Sequence, residues 1–349
     1  MPSPVPVTRL LPRDLYPSLD LGTCSSPLTK GSSTLQVPVP VPVQRLHGPV
    51  ARRLWSTVIL WSELRCVTPV GSGGFGSVYR AEYLGETVAL KKVKKSTKNA
   101  LASRQSFWAE LNAAHLRHAN VVRVLAATTS TCCLPPPREF GDESSTGTVL
   151  MEFVGTRNLQ QIIYATSTEE PLEEPRWLRY AADIARGLRF LHSHGVVHLD
   201  VKPANVLVSG SDVCKIADFG CSVKLDPERE EESCISARLS HVGGTYTHRA
   251  PELLKGQGLS PKADIYSFGI TLWQLITRET PYTGDRQHVL YAVVAHELRP
   301  SLQDCLVFGS ERGRLWRTLL SRCWSGEARH RPGAHALLQE LELRHGGAF

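Results

Sequence analysis

The residue pattern best suited to chemistry is a glycine-rich segment, Gly71–Val78, with the sequence Gly-Ser-Gly-Gly-Phe-Gly-Ser-Val. Because glycine lacks a side chain, backbone N–H groups in such a segment can approach phosphate oxygens closely. The pattern alone is a weak signal, since dinucleotide-binding folds contain a similar one. The candidate nucleotide-binding residues here are Val70, Gly71, Ser72, Gly73, Gly74, Phe75, Gly76, Ser77 and Val78.

The residues after the glycines distinguish between two kinds of nucleotide site. In a dinucleotide-binding fold the glycines open a helix. Here the run from Ser77 to Tyr83 is strand-like, and another glycine turn at Gly85 precedes a third strand-like run. The chain also lacks the pattern G-x-x-x-x-G-K-[ST] of P-loop proteins. This order predicts a β-hairpin that covers a nucleotide.

A lysine and a glutamate further along the chain could act on the same phosphates. Lys91 ends the run Val-Ala-Leu-Lys, which is similar to the V-A-I-K strand that carries a phosphate-binding lysine. A single lysine is more often a solvated surface residue, but the position after the glycine-rich segment favours phosphate binding. Glu110 is the only acidic residue between Lys91 and Asn120. An ion pair with Glu110 would hold Lys91 on the α- and β-phosphates.

Two oxygen-bearing side chains could hold a metal ion beside these phosphates. Asp218 begins the sequence Asp-Phe-Gly, and Asn205 directly precedes the apolar run Val206–Val208 that leads towards it. Mg²⁺ prefers hard ligands such as carboxylate and amide oxygens. The sequence therefore predicts Mg²⁺ beside the phosphates of a nucleotide, with Asn205 and Asp218 as the metal ligands.

The segment His198–Asn205 joins these signals into a family resemblance. It has the sequence His-Leu-Asp-Val-Lys-Pro-Ala-Asn, close to the H-R-D-x-x-x-x-N loop of protein kinases. Ala250-Pro-Glu252 closes the segment that follows Asp218, as in kinases. Since the motifs occur in the family's order between about residues 61 and 343, the chain resembles the eukaryotic protein kinase family.

The resemblance implies a fold and its boundaries. The fold would be α+β and bilobal, with a small β-rich N-lobe, one main helix in that lobe, and a larger helical C-lobe. The N-lobe would span about residues 61–151, the hinge 152–155 and the C-lobe 156–343.

The resemblance also implies an ATP-dependent serine/threonine kinase with specific residue roles. Asp200 would accept the proton of the substrate hydroxyl or orient that hydroxyl, and Lys202 would neutralise phosphate charge. Lys202 is the variant found in enzymes that phosphorylate serine and threonine, and Thr245 would join this pair. The other implied positions are Val78, Ala89 and Leu207 around adenine, Met151 as gatekeeper, the Glu152 and Val154 backbone at the hinge, Asp264 beneath the catalytic loop, and a Glu252–Arg331 pair.

Three further segments, Ala102–Leu111, Gly243–Glu252 and Arg286–Val294, resemble a group of vertebrate germ-cell kinases within the family. That resemblance alone implies a substrate class. Such enzymes act as MAP kinase kinase kinases, which phosphorylate a MAP kinase kinase during oocyte meiotic maturation.

One residue departs from the family pattern, because Leu199 replaces the arginine beside the catalytic aspartate. That arginine normally pairs with a phosphorylated residue of the activation segment. Val223 stands where relatives often have a second basic residue. We therefore expect activity that does not depend on a phosphate–arginine contact at this site. The alternative is a phosphate on Ser233, Ser236, Ser240 or Thr245 that Arg229 or Arg238 holds.

Hydrophobic periodicity predicts the elements that must position these residues. Residues 1–55 are rich in proline, serine and valine, which predicts a disordered or extended arm. The pattern then predicts strands within 67–93, at 121–127 and at 148–153, a long loop at 132–147, and helices at 100–117, 177–192 and 264–276, the last buried on all sides.

Composition limits the class of protein. The chain has 349 residues, of which 42% are hydrophobic, so it can form a sizeable core. The net charge is +7, but no nucleic-acid-binding motif accompanies it. No run reaches the roughly 18 apolar residues that a membrane helix needs, and nine cysteines without a secretory signal indicate the cytosol. We expect a cytoplasmic monomer whose partner is a protein substrate, rather than nucleic acid or membrane.

Two alternatives compete with an active kinase. A kinase-fold scaffold that acts by binding typically lacks the lysine, the loop aspartate or the Asp-Phe-Gly aspartate, whereas Lys91, Asp200 and Asp218 are all present. A nucleic-acid-binding protein would bind with a steep dependence on salt. The positive charge alone does not favour that function over the intact motifs.

Overall fold

The computed structural model describes residue 59 and residues 61–73, 76–94, 100–129, 145–165, 172–225, 245–303 and 306–346. The predicted arm at 1–55 and most of the predicted loop at 132–147 lie outside the described residues. So do Gly74 and Phe75 of the glycine-rich segment, together with Arg229, Ser233, Ser236, Arg238 and Ser240.

Five antiparallel strands form the N-lobe sheet, in the order β1-β2-β3-β5-β4. The strands are β1 (Leu64–Gly73), β2 (Gly76–Tyr83), β3 (Glu86–Lys94), β4 (Val124–Thr128) and β5 (Ser145–Glu152). β1 and β2 pair across the glycine-rich segment, with Gly73 opposite Gly76, so the predicted hairpin is confirmed. β3 is the central strand and its residues 88–93 are buried, as suits a valine-rich run.

One helix, α1 (Ala100–Asn112), accompanies the sheet. Its Phe107 is buried in an apolar cluster with residues of β3 and β5. The predicted helix over 100–117 was five residues too long. After Asn112 the backbone makes tighter turns, in which Ala113 N–H bonds to the Glu110 carbonyl and Leu116 N–H to that of Ala113.

The two strands after α1 also differ from their predicted limits. β4 begins at Val124 rather than Val121, because Val121 forms an isolated bridge with Ile216 of the C-lobe. Val122 N–H donates to the Ile216 carbonyl at 2.8 Å, so this segment is tied to the C-lobe instead of the sheet. β5 begins at Ser145, three residues before the predicted start.

The C-lobe is mainly helical, so the predicted bilobal α+β fold is confirmed. Its helices in the described part of the chain are α2 (Leu159–Ile163), α3 (Glu174–Ser193), α4 (Pro251–Leu254), α5 (Lys262–Thr277), α6 (Arg286–Ala295), α7 (Glu311–Cys323) and α8 (Ala334–Gly346). α3 contains the predicted helix at 177–192 and buries one apolar face, which includes Leu178, Ala181 and Leu188.

Helix α5 lies at the centre of this lobe. Fourteen of its 16 residues are buried, which confirms the prediction of a helix surrounded on all sides. Gly269 permits its packing against the end of α7, since a Cβ atom there would lie 2.9 Å from the Cβ of Cys323. None of the described helices combines the length and apolar character that crossing a membrane requires.

Short strands beside α3 flank the two loops that carry the predicted catalytic and metal-binding motifs. They are β6 (Arg157–Asn158), β7 (Val196–Val197), β8 (Val206–Val208), β9 (Cys214–Ile216) and β10 (Val223–Lys224). β8 pairs with both β6 and β9, and β7 pairs with β10. The segment His198–Asn205 therefore runs from β7 to β8, and the Asp-Phe-Gly sequence follows β9.

Candidate active site

Lys91 lies at the contact between the two lobes. Because β3 is the central strand, the Lys91 side chain is buried, and its ammonium group contacts the carboxylate of Glu110 on α1. The same Nζ atom lies 2.7 Å from Oδ1 of Asp218, which follows β9 in the C-lobe. Three residues predicted from separate motifs thus form one buried ionic cluster.

The charges of this cluster stabilise one another. Burial alone would lower the pKa of Lys91, but Glu110 and Asp218 outweigh it and raise that pKa above its usual value. Burial alone would raise the pKa of Asp218, but the Lys91 ammonium outweighs it and lowers that pKa to about 2. Lys91 and Asp218 therefore carry opposite charges at neutral pH.

The backbone around Asp218 is fixed by α1 and by the aspartate itself. Asp218 has a left-handed conformation, with φ 64°, and its Oδ1 accepts the N–H of Gly220 at 3.3 Å. Phe219 N–H donates to Oε2 of Glu110 at 3.2 Å. A Cβ at Gly220 would lie 2.5 Å from Oγ of Ser106 on α1, so a larger residue there would require the Ser106 side chain to move.

A second cluster forms around the buried carboxylate of Asp200. Its Oδ2 accepts from Lys202 Nζ at 2.7 Å and from Asn205 Nδ2 at 2.9 Å, while its Oδ1 accepts the N–H of Thr245 at 2.9 Å. Lys202 Nζ also donates to the Thr245 hydroxyl at 2.5 Å. The sequence-predicted Asp200, Lys202, Asn205 and Thr245 are thus in direct contact.

The two clusters adjoin through the backbone of Asn205. Ala217 N–H donates to the Asn205 carbonyl at 2.8 Å, and Ala217 directly precedes Asp218. The Asn205 side chain donates through Nδ2 to both the carbonyl and the carboxylate of Asp200, which directs its amide oxygen away from them. Asn205 and Asp218 can therefore offer oxygen donors to one metal ion.

Asp264 of α5 supports the loop from below, as expected from the family resemblance. Its carboxylate accepts the backbone N–H groups of His198 and Leu199 at 2.9 and 2.8 Å, and lies 2.8 Å from His192 Nε2. Burial alone would raise the pKa of Asp264, but the hydrogen bonds and the nearby histidines lower it. The resulting carboxylate holds Leu199 in a left-handed conformation with φ 65°.

The side chain of Leu199 is buried in the apolar core of the C-lobe. Val223 packs against the same core from β10. Leucine at this position contributes packing, and neither residue can donate a hydrogen bond to a phosphate.

The predicted adenine contacts belong to a single apolar cluster. Ala89 of β3 and Met151 of β5 are paired neighbours in the sheet, and both are buried. Val78, Val154 and Leu207 are partly buried and pack against the same cluster. An apolar surface of this kind, two residues from Lys91 along β3, suits a purine base with phosphates.

The described part of the glycine-rich segment leaves room above the sheet. A Cβ at Gly71 would meet no atom within 4 Å, so packing within the protein does not require glycine there. Gly76 differs, since a Cβ would lie 2.2 Å from the Lys92 carbonyl oxygen. Val70 is 40% exposed, and the Ser72 hydroxyl lies 3.3 Å from that of Ser77 and accepts from Lys94.

The end of the activation segment is fixed to the C-lobe by a buried pair. Arg331 donates from Nη1 and Nη2 to the two carboxylate oxygens of Glu252, each at 2.7 Å. Glu252 lies on α4, and its partner precedes α8, so the ion pair joins distant parts of the chain.

A hydrogen-bonded chain of side chains that was not predicted from the sequence begins two residues after Thr245. His248 Nδ1 lies 2.9 Å from the Thr247 hydroxyl, and His248 Nε2 lies 2.7 Å from Oε1 of Gln274 on α5. Gln274 Nε2 donates onward to the Tyr164 hydroxyl at 2.6 Å. Burial lowers the pKa of His248 to about 4, so this imidazole is neutral at pH 7. No local motif could have indicated it, because the partners are distant in sequence.

Comparisons with known proteins agree with this geometry. Residues 64–341 match the protein kinase domain. The chain belongs to the protein kinase family. It is 55% identical over 345 residues to the serine/threonine-protein kinase mos of Xenopus laevis, covering 98% of this chain and 92% of that protein. It is 48% identical to the proto-oncogene serine/threonine-protein kinase mos of Mus musculus, covering 99% of both, and 49% identical to that of Sus scrofa, covering 98% of both.

These relatives place the kinase in a subgroup. It is a serine/threonine kinase of the Mos type, with similarity along nearly its whole length. As a protein kinase it uses ATP and acts on protein substrates. The expectation of an enzyme of this class is confirmed.

Proposed function

We propose that this Mos-type kinase phosphorylates a MAP kinase kinase, and so acts as a MAP kinase kinase kinase in oocyte meiotic maturation. The observation that carries the proposal is the 55% identity to a mos kinase over 98% of the chain. The similarity extends over the whole kinase domain and is not confined to the catalytic motifs.

In the proposed reaction, Asp200 accepts or orients the proton of the substrate hydroxyl. Its carboxylate is held by three neighbours, so it needs no reorganisation before the hydroxyl attacks the γ-phosphate. Lys202 bonds to both Asp200 and Thr245, where its ammonium would neutralise charge on the phosphoryl group. Lys91, oriented by Glu110, binds the α- and β-phosphates.

The residues present fit a magnesium ion. Asp218 remains ionised, since its pKa is about 2, and its side chain is 27% exposed. Together with the Asn205 amide oxygen it forms the donor set that Mg²⁺ prefers. When bound, the ion would neutralise charge on the β- and γ-phosphates.

The remaining parts of the proposal concern the nucleotide and the setting of the enzyme. The glycine-rich segment from Val70 to Val78 covers the phosphates, and the cluster around Ala89 and Met151 takes the adenine. We place the kinase domain at residues 61–343, after a Pro-rich arm. We propose a cytoplasmic monomer without nucleic-acid or membrane partners, since the sequence has no motif for either.

The test is phosphate transfer by the purified full chain to a kinase-dead MAP kinase kinase, with the labelled residue mapped. We expect wild-type protein to label serine in the substrate's activation loop. Lys91→Met and Asp200→Asn should each reduce the rate by about 10²–10⁴-fold, because each removes a group that acts on the reacting atoms. Arg314→Gln, at an exposed site on α7, serves as the matched control.

The outcomes separate the parts of the proposal. Equally low labelling by wild type and both variants would favour the scaffold alternative. Strong labelling of a general substrate but none of the MAP kinase kinase would reject the substrate and retain the activity.

A further inference from the structure

A second cluster of charged groups lies on the C-lobe, among residues that the kinase reaction does not use. Residues 311–331 cover α7 and the segment after it, and contain six arginines and only two glutamates. The arginines are Arg312, Arg314, Arg317, Arg322, Arg329 and Arg331. Arg331 is already paired with Glu252, but two of the others, Arg317 and Arg322, line a common cavity.

This cavity has a volume of about 400 Å³ and is lined by basic and hydroxyl-bearing residues without a carboxylate. Its lining residues are Arg317, Thr318, Ser321, Arg322, Ser325 and His330. None of them belongs to the active site described above. A cavity with two guanidinium groups, an imidazole and three hydroxyls has the donors to bind an anion.

The guanidinium group of Arg317 is held in place by one of its N–H donors, while another has no hydrogen-bond partner among the described residues. Its Nη2 donates to the Phe308 carbonyl at 2.7 Å, which fixes the guanidinium. Its Nε atom is buried and has no hydrogen-bond partner among the described residues. Because the Phe308 carbonyl is neutral, it does not offset the guanidinium charge, so an anion in the cavity would be stabilised by that charge.

The second guanidinium is only partly neutralised. Arg322 Nη1 donates to Oε2 of Glu340 at 2.9 Å, but the other oxygen of that carboxylate accepts from Arg344 at 2.6 Å. One carboxylate is thus shared between two arginines. The cavity therefore retains positive charge from both Arg317 and Arg322.

We propose that this cavity binds a phosphate group carried on a serine or threonine of a peptide segment. Guanidinium groups present planar pairs of donors that match phosphate oxygens, and the hydroxyls of Ser321 and Ser325 can complete the shell. A bare phosphate would fill little of 400 Å³, given that a water molecule occupies about 30 Å³ in the liquid. The remaining volume suits the residues that flank a phosphorylated side chain. The site would then recognise a phosphorylated protein independently of catalysis.

The test follows the Nε–H resonance of Arg317 by NMR in ¹⁵N-arginine-labelled full chain, assigned with Arg317→Lys. The probe is an Ala- and Gly-based peptide with one central phosphothreonine, compared with its unphosphorylated twin and with inorganic phosphate. A non-hydrolysable ATP analogue fills the active site throughout. We expect the resonance to shift in a saturable way with the phosphopeptide and not with its unphosphorylated twin. Inorganic phosphate should cause no shift or should bind far more weakly than the phosphopeptide.

Two variants locate the binding, and a third is the control. Ser321→Glu adds a negative charge at an exposed position, and Arg322→Gln removes a positive one. Each should weaken phosphopeptide binding by about tenfold or more, because each affects a charge-assisted contact. Arg314→Gln lies on the same helix outside the cavity and should bind as wild type does.

Thermal unfolding of each variant confirms that it is folded. Equal binding of the phosphorylated and unphosphorylated peptides would overturn the proposal, as would wild-type affinity in Ser321→Glu. Binding of inorganic phosphate as tight as that of the phosphopeptide would overturn the choice of a peptide ligand.

Discussion

The side chain of His248 is buried where a positive charge would be costly. Gln274 donates through Nε2 to Tyr164, so its Oε1 is the atom that faces His248 and accepts from His248 Nε2–H. His248 Nδ1 is then free to accept from the Thr247 hydroxyl. Protonation would place a hydrogen on Nδ1, so the Thr247 hydroxyl would have to turn from donor to acceptor, and it would bury a positive charge.

We expect this histidine to make stability depend on pH. Its folded pKa of about 4 lies below the value of 6.5 for an unperturbed histidine, so the unfolded chain binds the extra proton first. The free energy of unfolding should fall by about 3 kcal/mol as pH falls from 6.5 to 4, and no further below that. Denaturant unfolding across this range measures the effect.

His248→Gln isolates the contribution of this residue from that of the carboxylates. The variant should lose stability less steeply than wild type between pH 6.5 and 4. His288→Gln, at a side chain that is 92% exposed, should follow the wild-type curve. Parallel curves for wild type and His248→Gln would contradict the assignment.

Local sequence patterns picked out, one by one, the residues that the structure brings together in the candidate site, but they did not pick out His248. Lys91, Asp200, Asn205 and Asp218 occur in short local patterns whose spacing indicates a shared substrate. The hydrogen bonds of His248 depend on Gln274, which lies 26 residues away in the sequence. Gln274 is itself oriented by Tyr164, which lies 110 residues from it. Such contacts depend on how α5 packs, which local sequence does not encode.

At the scale of elements, Glu252 and Arg331 join α4 to the segment before α8. Both side chains are buried and both carboxylate oxygens are used, so removal of one partner leaves an unpaired charge in the core. Arg331→Met should lower the free energy of unfolding by about 3–5 kcal/mol. Chemical denaturation of the purified domain measures this loss.

The neighbouring pair of Arg329 and Glu327 provides a matched comparison. These side chains are 79% and 66% exposed and lie 3.7 Å apart, so Arg329→Met should change the free energy of unfolding by less than about 1 kcal/mol. If the two variants lost similar amounts of unfolding free energy, burial would not explain how much the Glu252–Arg331 pair contributes to stability.

Element boundaries show where local patterns cease to determine structure. The helix predicted at 100–117 ends at Asn112, although Ala113 and Ala114 are good helix formers. Both alanines are buried, and the segment after them is held by backbone bonds to Ile216. By contrast α5 was predicted almost to the residue, because its continuous apolar sequence has one stable environment, the centre of the C-lobe.

At the scale of the whole molecule, the candidate active site lies where the two lobes meet. β3 and α1 supply Lys91 and Glu110, while the C-lobe supplies Asp200 and Asp218. The order of motifs predicted the two lobes correctly, since each motif belongs to a known element of the kinase fold. Their contact includes the buried ionic cluster of Lys91, Glu110 and Asp218.

This assembly leads to a prediction about control of the enzyme. In most relatives an arginine beside the catalytic aspartate senses activation-segment phosphate, but here Leu199 is buried in the apolar core. Asp200 is held by Lys202, Asn205 and the Thr245 backbone through contacts that do not involve the side chain of residue 199. We therefore expect purified active enzyme to keep most of its activity after phosphatase treatment. The measurement is kcat and KM of the treated enzyme, and the control is enzyme incubated with heat-inactivated phosphatase. Mass spectrometry should follow Ser233, Ser236, Ser240 and Thr245 in the same samples. Loss of activity in proportion to dephosphorylation of one of these residues would contradict the prediction, and would indicate that basic groups other than residue 199 hold the phosphate.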